Sequence, residues 1–350
     1  MMRGGAEIPF PYRSHANDYH DHFARTLGHA LLSKWRSFKV KRNPGEICIS
    51  PLKSPDIRPL GPEDIPLIFL TRNSLRFLRS FLLHYRTLGV TRFLCIDDRS
   101  TDGTREFLLE ESDVDLFGSD IRYREANGGR SWREAIVQLY GTNRWYLNVD
   151  CDEYFIYHQY ETKRLPQFIA GLEAAGITHC PAPMIDCYPG DAITSAVFDG
   201  SSDVMPWEIA NMFDVEGYRL LRTGSGMIMS GGPRARVLNN PDIHDELMKY
   251  PLVYVEGEIT FGVSIHKPWP FTRNFSPIMG SLLHFKFFDQ TEKLVREAIA
   301  DNQYYRGSRS YKNMLEAIKK GQLDYLRSEI SNEFRNSQQL AELGFFKTVF

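Results

Sequence analysis

Short apolar runs alternate with amphipathic stretches along the chain from Pro66 onward. The run PLIFL at 66–70 contains no polar residue, which predicts a strand buried on both faces of a sheet. The stretch at 74–89 carries leucine and aromatic residues at helical spacing. Ser74 is suited to cap this helix, and Gly89 is suited to end it.

The same alternation continues up to residue 150 and predicts the fold class. Further strands are predicted at 91–97, 120–125 and 144–150, and further helices at 100–111 and 131–141. Strands that alternate with helices indicate an α/β fold, with a Rossmann-like, mostly parallel sheet flanked by crossover helices. Ligands of such sheets bind at the carboxyl ends of the strands.

The regular pattern fades after Tyr157. A loop-rich half follows, with many Gly and Pro residues between about 190 and 275 and a late strand in GSLLHFKFF at 280–288. Two or three helices are predicted near the end of the chain, between Thr291 and Leu343. We therefore divide the chain into an N-terminal extension, a main domain of two halves and a C-terminal helical segment: 1–62, 63–288 (63–157 and 158–288) and 289–350.

Composition and charge narrow the class of protein. The 350 residues are 42% hydrophobic and 25% charged, with a formal net charge of −2, which argues against a nucleic-acid-binding protein. The five cysteines match no zinc spacing and indicate reduced thiols in a cytoplasmic protein. The apolar positions near Leu31 and Trp35, among lysines and arginines, are compatible with peripheral membrane contact. The pattern favours the alternative, a leader helix packed on the main domain.

Three carboxylates follow the fourth predicted strand, in the stretch WYLNVDCDEYFIY. Asp150 and Asp152 are two positions apart, so in extended backbone their side chains point to the same side. With no basic residue expected beside them, the two carboxylates need a cation, and oxygen ligands suit a hard ion such as Mg²⁺ or Mn²⁺. Mg²⁺ usually completes its shell with water and substrate phosphates, so this interpretation predicts a phosphorylated substrate. The alternative is a solvated Asp-rich turn.

Several segments together resemble the family 2 glycosyltransferases, and most closely a subgroup with an "RN" first loop and a D-x-D-E metal motif. They are FLTRNSLRFLRSFLLHYRTLGVTRFLCIDDRSTDGT, WYLNVDCDEYFIY, GGPRARV, KYPLVYV, SIHKPWP and LLHFKFF, with a weaker echo in NSQQLAELGFF. The resemblance covers about 66–288. It implies a GT-A fold whose first half, 63–157, binds a nucleotide sugar, usually a UDP- or GDP-sugar, and whose second half, 158–288, binds the acceptor. It also implies a divalent metal, Mn²⁺ or Mg²⁺.

The resemblance also implies roles for residues at the strand ends. Thr71, Arg72 and Asn73 would line the nucleotide pocket, and Asp97, with Asp98 beside it, would bind the base or ribose. A capped turn between strand and helix also explains part of the Asp97–Asp98 pattern. In the acidic motif, Asp150 would contact the ribose or a metal-bound water, Asp152 would bind the metal directly, and Glu153 would support the site. The sequence departs from the subgroup at Ser74, which stands where a glutamate is usual directly after the Asn.

The second half supplies further candidate residues. Inverting transfer needs a carboxylate to take the acceptor proton, and Asp186 is the first candidate, with Asp199, Asp203 and Glu208 as rivals. His284 is either a core histidine or, with Lys286 on the same strand face, a diphosphate or metal contact. His266 is comparable, or forms an acceptor shelf with Trp269. Arg234 and Arg236, read as alternating along a strand, would clamp phosphate or remain solvated.

The sequence thus favours a metal-dependent, inverting glycosyltransferase whose acceptor is a glycan, a lipid-linked glycan or a protein. The first alternative is a nucleotidyltransferase acting on sugar phosphates. Such an enzyme would ordinarily show a glycine-rich, basic loop after the first strand, and TRNSLRF has no glycine. A non-catalytic nucleotide-sugar-binding protein on the same scaffold is the second. A hydrolase is the third, because paired carboxylates also serve glycosidases.

Overall fold

A computed structural model describes residues 6–12, 31–35, 48–238, 245–257 and 264–350. Its strands are β1 (Ala6–Ile8), β2 (Ile49–Pro51), β3 (Pro66–Thr71), β4 (Arg92–Asp97), β5 (Val114–Ser119), β6 (Arg144–Asp150), β7 (Glu153–Ile156), β8 (His179–Cys187), β9 (Met212–Asp214), β10 (Tyr218–Thr223), β11 (Gly226–Gly231), β12 (Met248–Val255), β13 (Ser281–Phe285) and β14 (Ser331–Glu333). Its longer helices are α1 (Leu75–Leu88), α2 (Thr104–Glu110), α3 (Arg130–Tyr140), α4 (Leu165–Ala174), α5 (Gly232–Leu238), α6 (Thr291–Asp301), α7 (Tyr305–Lys319) and α8 (Ser337–Glu342).

Nine of these strands form one sheet, in the order β2-β5-β4-β3-β6-β12-β8-β13-β7. The four strands β5, β4, β3 and β6 are parallel to one another. The other half is mixed, because β12 runs antiparallel to both β6 and β8 while β13 is parallel to β8. The predicted α/β, Rossmann-like sheet flanked by helices is therefore confirmed, and its parallel part is the first half of the domain.

The apolar runs form these strands because both faces of the sheet are covered. Every residue of β4 is buried, and β3 is nearly so. On one face α1 packs Leu78, Phe81 and Tyr85 against the sheet. On the other face α3 contributes Trp132 and Ile136. This two-sided burial explains why the strands read as continuous apolar runs rather than as alternating ones.

Two local predictions are wrong. The third strand is Val114–Ser119, and the predicted segment 120–125 makes a turn instead. The strand forms where Val114, Leu116 and Phe117 are buried, and this burial outweighs the β-forming residues of 120–125. Arg234 and Arg236 do not alternate along a strand, since they lie in the helix α5. In that helix each arginine reaches a buried aspartate, which gives the charged residues internal partners.

The remaining described segments attach at the edges of the fold. β1 pairs with β10, and β14 pairs with β9. Helices α6 and α7 pack on one another around Val295 and Met314, beside Tyr188 and Phe287. Residues 31–35 are helical, with Leu31 and Trp35 exposed, but most of the predicted N-terminal extension lies outside the described residues. None of the described helices has the length and apolar character that a bilayer span requires, and peripheral membrane contact stays a prediction.

Candidate active site

A cavity of about 610 Å³ opens at the carboxyl ends of β3, β4 and β6, and α6 and α7 form its opposite wall. Its polar lining includes seven of the residues predicted from the sequence: Thr71, Arg72, Asn73, Asp98, Asp150, Asp152 and Lys286. Several aromatic side chains complete the wall: Phe77, Tyr123, Trp132, Phe285, Tyr304 and Tyr311. The volume lies within the range of about 300–1,000 Å³ that is usual for small-molecule sites.

Basic side chains accompany Asp150, contrary to the expectation that it had none beside it. Arg133 of α3 donates from Nη2 to Asp150 Oδ1 at 3.1 Å, and Lys249 of β12 donates from Nζ to Asp150 Oδ2 at 2.7 Å. Lys249 also donates to Glu153 Oε1 at 2.5 Å, and the other Glu153 oxygen accepts from the Asp150 amide at 3.1 Å. These cations come from distant parts of the chain, so the local sequence did not reveal them.

Lys249 and Glu153 form a buried ion pair next to the cavity. The Lys249 side chain is 4% exposed and that of Glu153 is 1% exposed. Burial alone would lower the pKa of Lys249, but Asp150 and Glu153 outweigh it and raise that pKa. Burial raises the pKa of Glu153, and Lys249 opposes the change. Lys249 therefore holds the acidic motif in place as an internal counter-ion.

A chain of buried contacts leads to Asp152 from the interior. His284 Nδ1 lies 2.6 Å from Asp186 Oδ1, and its Nε2 lies 3.5 Å from Asp152 Oδ2. Arg234 donates from Nε to the other Asp186 oxygen at 2.7 Å. Lys286 donates from Nζ to Asp152 Oδ2 at 3.0 Å. Because an ionised carboxylate only accepts, Asp186 fixes Nδ1 of His284 as the donor and turns Nε2 toward Asp152.

Asp186 is enclosed rather than facing the cavity. It is 1% exposed, and both of its oxygens are engaged. Burial would raise its pKa, but Arg234 and His284 outweigh burial and hold that pKa well below its usual range. A group in this position orients His284 and has no free oxygen for a substrate hydroxyl, which does not fit the predicted role of catalytic base.

The acidic motif fits a divalent cation. Ligand atoms of Asp152, Glu153 and His284 all lie within 4.8 Å of one another. A site with both oxygen and imidazole donors selects Mn²⁺ and Mg²⁺ less strictly than a site made of carboxylates alone. A histidine whose second ring nitrogen contacts a carboxylate is a common metal ligand. Both Asp150 oxygens are already paired with Arg133 and Lys249. Both Glu153 oxygens are likewise engaged, by Lys249 and the Asp150 amide, so Asp152 and His284 are the better-placed ligands.

The nucleotide end of the predicted site is only partly as expected. Arg72 donates to the carbonyl oxygens of Asp98 and Arg99. Asn73 adopts a positive φ of 51° and accepts from the Thr101 amide through its side-chain oxygen, so it shapes the wall of the cavity. Asp98 lines the cavity.

Asp97 does not reach the cavity. Its side chain accepts from Arg105 Nε at 2.7 Å and from the Ser100 amide at 3.0 Å. These contacts bury Asp97 and make it the cap of the turn between β4 and α2. The capped-turn alternative therefore describes Asp97, while its neighbour Asp98 lines the cavity.

The other predicted residues lie behind the cavity wall or away from it. His266 is held by the Met248 carbonyl oxygen at 2.7 Å, and burial lowers its pKa to about 3, so it is neutral. Arg234 is buried between Asp186 and Asp245. The rival bases Asp199, Asp203 and Glu208 are exposed and do not line the cavity.

Sequence reasoning missed four residues around this site: Arg76, Arg133, Lys249 and Asp301. A signal existed for two of them, because Lys249 is a lone charge in an apolar strand and Arg133 lies on the buried side of α3. Arg76 lines the cavity beside the rings of Phe77 and Phe288, at 4.6 and 5.5 Å. Asp301 had no signal, since in the sequence it is one of several charged residues of the helix α6.

Comparisons with known proteins do not assign a family. No protein-family model matches the chain, and no curated protein is similar to it. Among solved structures the chain is similar to a UDP-glucose pyrophosphorylase from Acinetobacter baumanii, with 8% identity, 73% of this chain and 99% of that chain covered, and a TM-score of 0.29. It is also similar to the inositol-1-phosphate CTP transferase from T. maritima, with 10% identity, coverage of 80% and 95%, and a TM-score of 0.26.

A bifunctional glycosyltransferase, WbbM, is also similar, with 11% identity and a TM-score of 0.24; the match covers 77% of this chain and 39% of that one. At such low TM-scores these likenesses assign neither a family nor an activity to the chain.

Proposed function

We propose that this chain is a metal-dependent glycosyltransferase that moves a sugar from a nucleotide-sugar donor to an acceptor hydroxyl. The observation that carries the proposal is the pairing of Asp152 with a carboxylate-oriented His284 at a cavity on the strand ends. A metal site beside a cavity large enough for a nucleotide sugar is what such a reaction requires. The motifs that resemble family 2 glycosyltransferases support the same reaction class.

Asp152 and His284 would hold Mn²⁺ or Mg²⁺, and Glu153, engaged by Lys249 and by the Asp150 amide, would support the site. The ion would neutralise charge that grows on the departing diphosphate. Lys286, which contacts Asp152 at 3.0 Å, lies where it can pair with the same diphosphate. Arg72 and Arg76 add positive charge to the same wall of the cavity.

Transfer forms a bond between the acceptor oxygen and the anomeric carbon, breaks the bond from that carbon to the diphosphate oxygen, which leaves with the electron pair, and releases the acceptor proton to solvent water. We propose that it proceeds with inversion, on an acceptor that is a glycan, a lipid-linked glycan or a protein. Asp98 and Asp150 line the cavity on the side of the parallel strands, and their oxygens, although paired with Arg122, Arg133 and Lys249, keep lone pairs that would accept from donor hydroxyls. Asp186 serves as a positioning residue for His284, because both of its oxygens are engaged.

The test is a screen of UDP- and GDP-sugars for release of the nucleoside diphosphate, with and without Mn²⁺. We expect metal-dependent release in the wild type and its loss in Asp152→Asn. Asp203→Asn is the matched control, because Asp203 is exposed and pairs with the surface residue Arg79. Absence of nucleotide binding under all conditions would overturn the proposal. Release of pyrophosphate from a nucleoside triphosphate and a sugar 1-phosphate would instead indicate a nucleotidyltransferase.

A further inference from the structure

The carboxylate of Asp301, at the end of α6, lies between two guanidinium groups. Arg72 contacts it from Nε at 3.0 Å and from Nη2 at 3.1 Å. Arg122 donates from Nη2 to both Asp301 oxygens at 3.0 Å. One carboxylate thus joins the loop after β3 to the turn after β5, across the cavity.

This contact is stronger than an ordinary surface ion pair. The side chains of Asp301, Arg122 and Arg72 are 18%, 21% and 29% exposed, so water screens them only in part. Arg122 also donates from Nε to Asp98 Oδ1 at 2.7 Å, which fixes its guanidinium. A charge-assisted network with several bonds holds its geometry better than a single exposed pair.

Aromatic contacts also hold α6 and α7 against the rest of the cavity wall. The Tyr304 ring, between α6 and α7, lies 5.9 Å from the Tyr123 ring and 4.7 Å from the Tyr311 ring. Lys286 Nζ lies 5.9 Å from the Tyr311 ring, which ties α7 to the Asp152 side of the cavity. Helices α6 and α7 therefore cover the cavity from the Asp98 side to the Asp152 side.

The covered cavity keeps about 610 Å³, so a nucleotide sugar fits beneath the helices without displacing them. Asp301 and Tyr304 both line this cavity, so release of their contacts would widen its opening for a ligand of that size. We propose that α6 and α7 form a lid, latched by Asp301 on Arg72 and Arg122, that opens to admit the donor and recloses over it. The identity of the donor rests on the proposed function, whereas the latch itself does not.

Amide hydrogen exchange on the full chain tests the latch without any ligand. Asp301→Asn should speed exchange in 291–319 by roughly tenfold and leave β3 and β6 unchanged. Glu292→Gln is the matched control, because Glu292 lies on the same helix and pairs with Arg296 in solvent. Tyr304→Leu should speed the same segment, and it provides a second test if Asp301→Asn does not fold. Exchange in 291–319 that matches the wild type in the variants that fold would overturn the lid.

Nucleotide kinetics provide the second readout. In the presence of Mn²⁺, UDP or GDP should slow exchange of 291–319 in the wild type. The dissociation rate of the nucleotide should rise by roughly tenfold in Asp301→Asn but not in Glu292→Gln. If neither nucleotide binds the wild type, the proposed function fails while the exchange result still decides the latch. A dissociation rate unchanged in Asp301→Asn would overturn the lid's role in donor retention.

Discussion

His284 Nδ1 lies 2.6 Å from Asp186 Oδ1, and this contact turns the other ring nitrogen toward Asp152. The three residues come from β6–β7, β8 and β13, which meet at one end of the sheet. Asp186 is itself held by Arg234, so the ring is oriented by a buried ion pair rather than by a mobile loop. Because Asp186 is enclosed and paired, we expect it to support metal binding by orienting His284 rather than to take a proton from the acceptor.

Asp186→Asn is expected to weaken Mn²⁺ binding by about 10–100-fold, because an amide orients the His284 ring less firmly than a carboxylate does. Titration of Mn²⁺ against the wild type and the variant measures the change. Asp203→Asn, at an exposed site, should leave Mn²⁺ affinity unchanged. If Asp186→Asn leaves Mn²⁺ affinity unchanged but lowers the transfer rate, the result would instead support Asp186 as the catalytic base.

Lys249→Met should lower the free energy of unfolding by about 3–5 kcal/mol, because it leaves buried Glu153 and its neighbour Asp150 without their shared cation. Urea denaturation of both proteins measures the difference. Adding Glu153→Gln to Lys249→Met should recover part of the loss, since it removes the uncompensated buried charge. A double variant no more stable than Lys249→Met would show that packing, not charge, explains the effect.

Gly129→Ala should destabilise the protein more than Gly128→Ala. Both glycines have positive φ, +77° and +68°, so both substitutions strain the backbone. A Cβ at Gly129 would lie 2.2 Å from Leu70 Cδ1 and 2.7 Å from Arg133 Nη1, whereas the nearest atom at Gly128 is 3.8 Å away.

The difference in unfolding free energy between the two alanine variants isolates this steric clash. We expect a gap of about 1–3 kcal/mol. Because Arg133 contacts Asp150, Gly129→Ala should also reduce nucleotide binding. Equal stability of the two variants would contradict the close approach of α3 to β3 at this point.

Glu246→Gln should stabilise the protein at pH 8 but not near pH 4. Burial raises the pKa of Glu246 to about 7, against an ordinary value of 4.5. Between these values the folded state keeps a proton that the unfolded state has lost, so wild-type stability falls as the pH rises from about 4.5 to about 7.

Glutamine removes this dependence while its side-chain oxygen can still accept from the Met229 and Met248 amides. The expected gain at pH 8 is about 1–3 kcal/mol. Urea unfolding of both proteins at pH 5, 6, 7 and 8 measures it, with exposed Glu329→Gln as the control. A stability difference that does not change with pH would contradict the raised pKa.

The parallel half of the sheet and the edge at which the cavity opens could be predicted from the amino-acid pattern alone. Apolar runs and helical periodicity depend on local burial, so β3, α1, β4 and β6 were predicted near their observed positions. The polar residues that follow these strands come to one edge because parallel strands share a direction. Thr71, Arg72, Asp98, Asp150 and Asp152 follow from that rule.

The partners of the charged residues could be seen only in the folded structure. Lys249 and Arg133 reach Asp150 across strand pairings and helix packing that no local pattern encodes. In the same way, Asp186 was drawn inside by Arg234 and His284, and Asp301 was brought to Arg72 from more than two hundred residues away. Charge compensation acts through space, so an acidic motif that looks unpaired along the chain lies among cations in the fold.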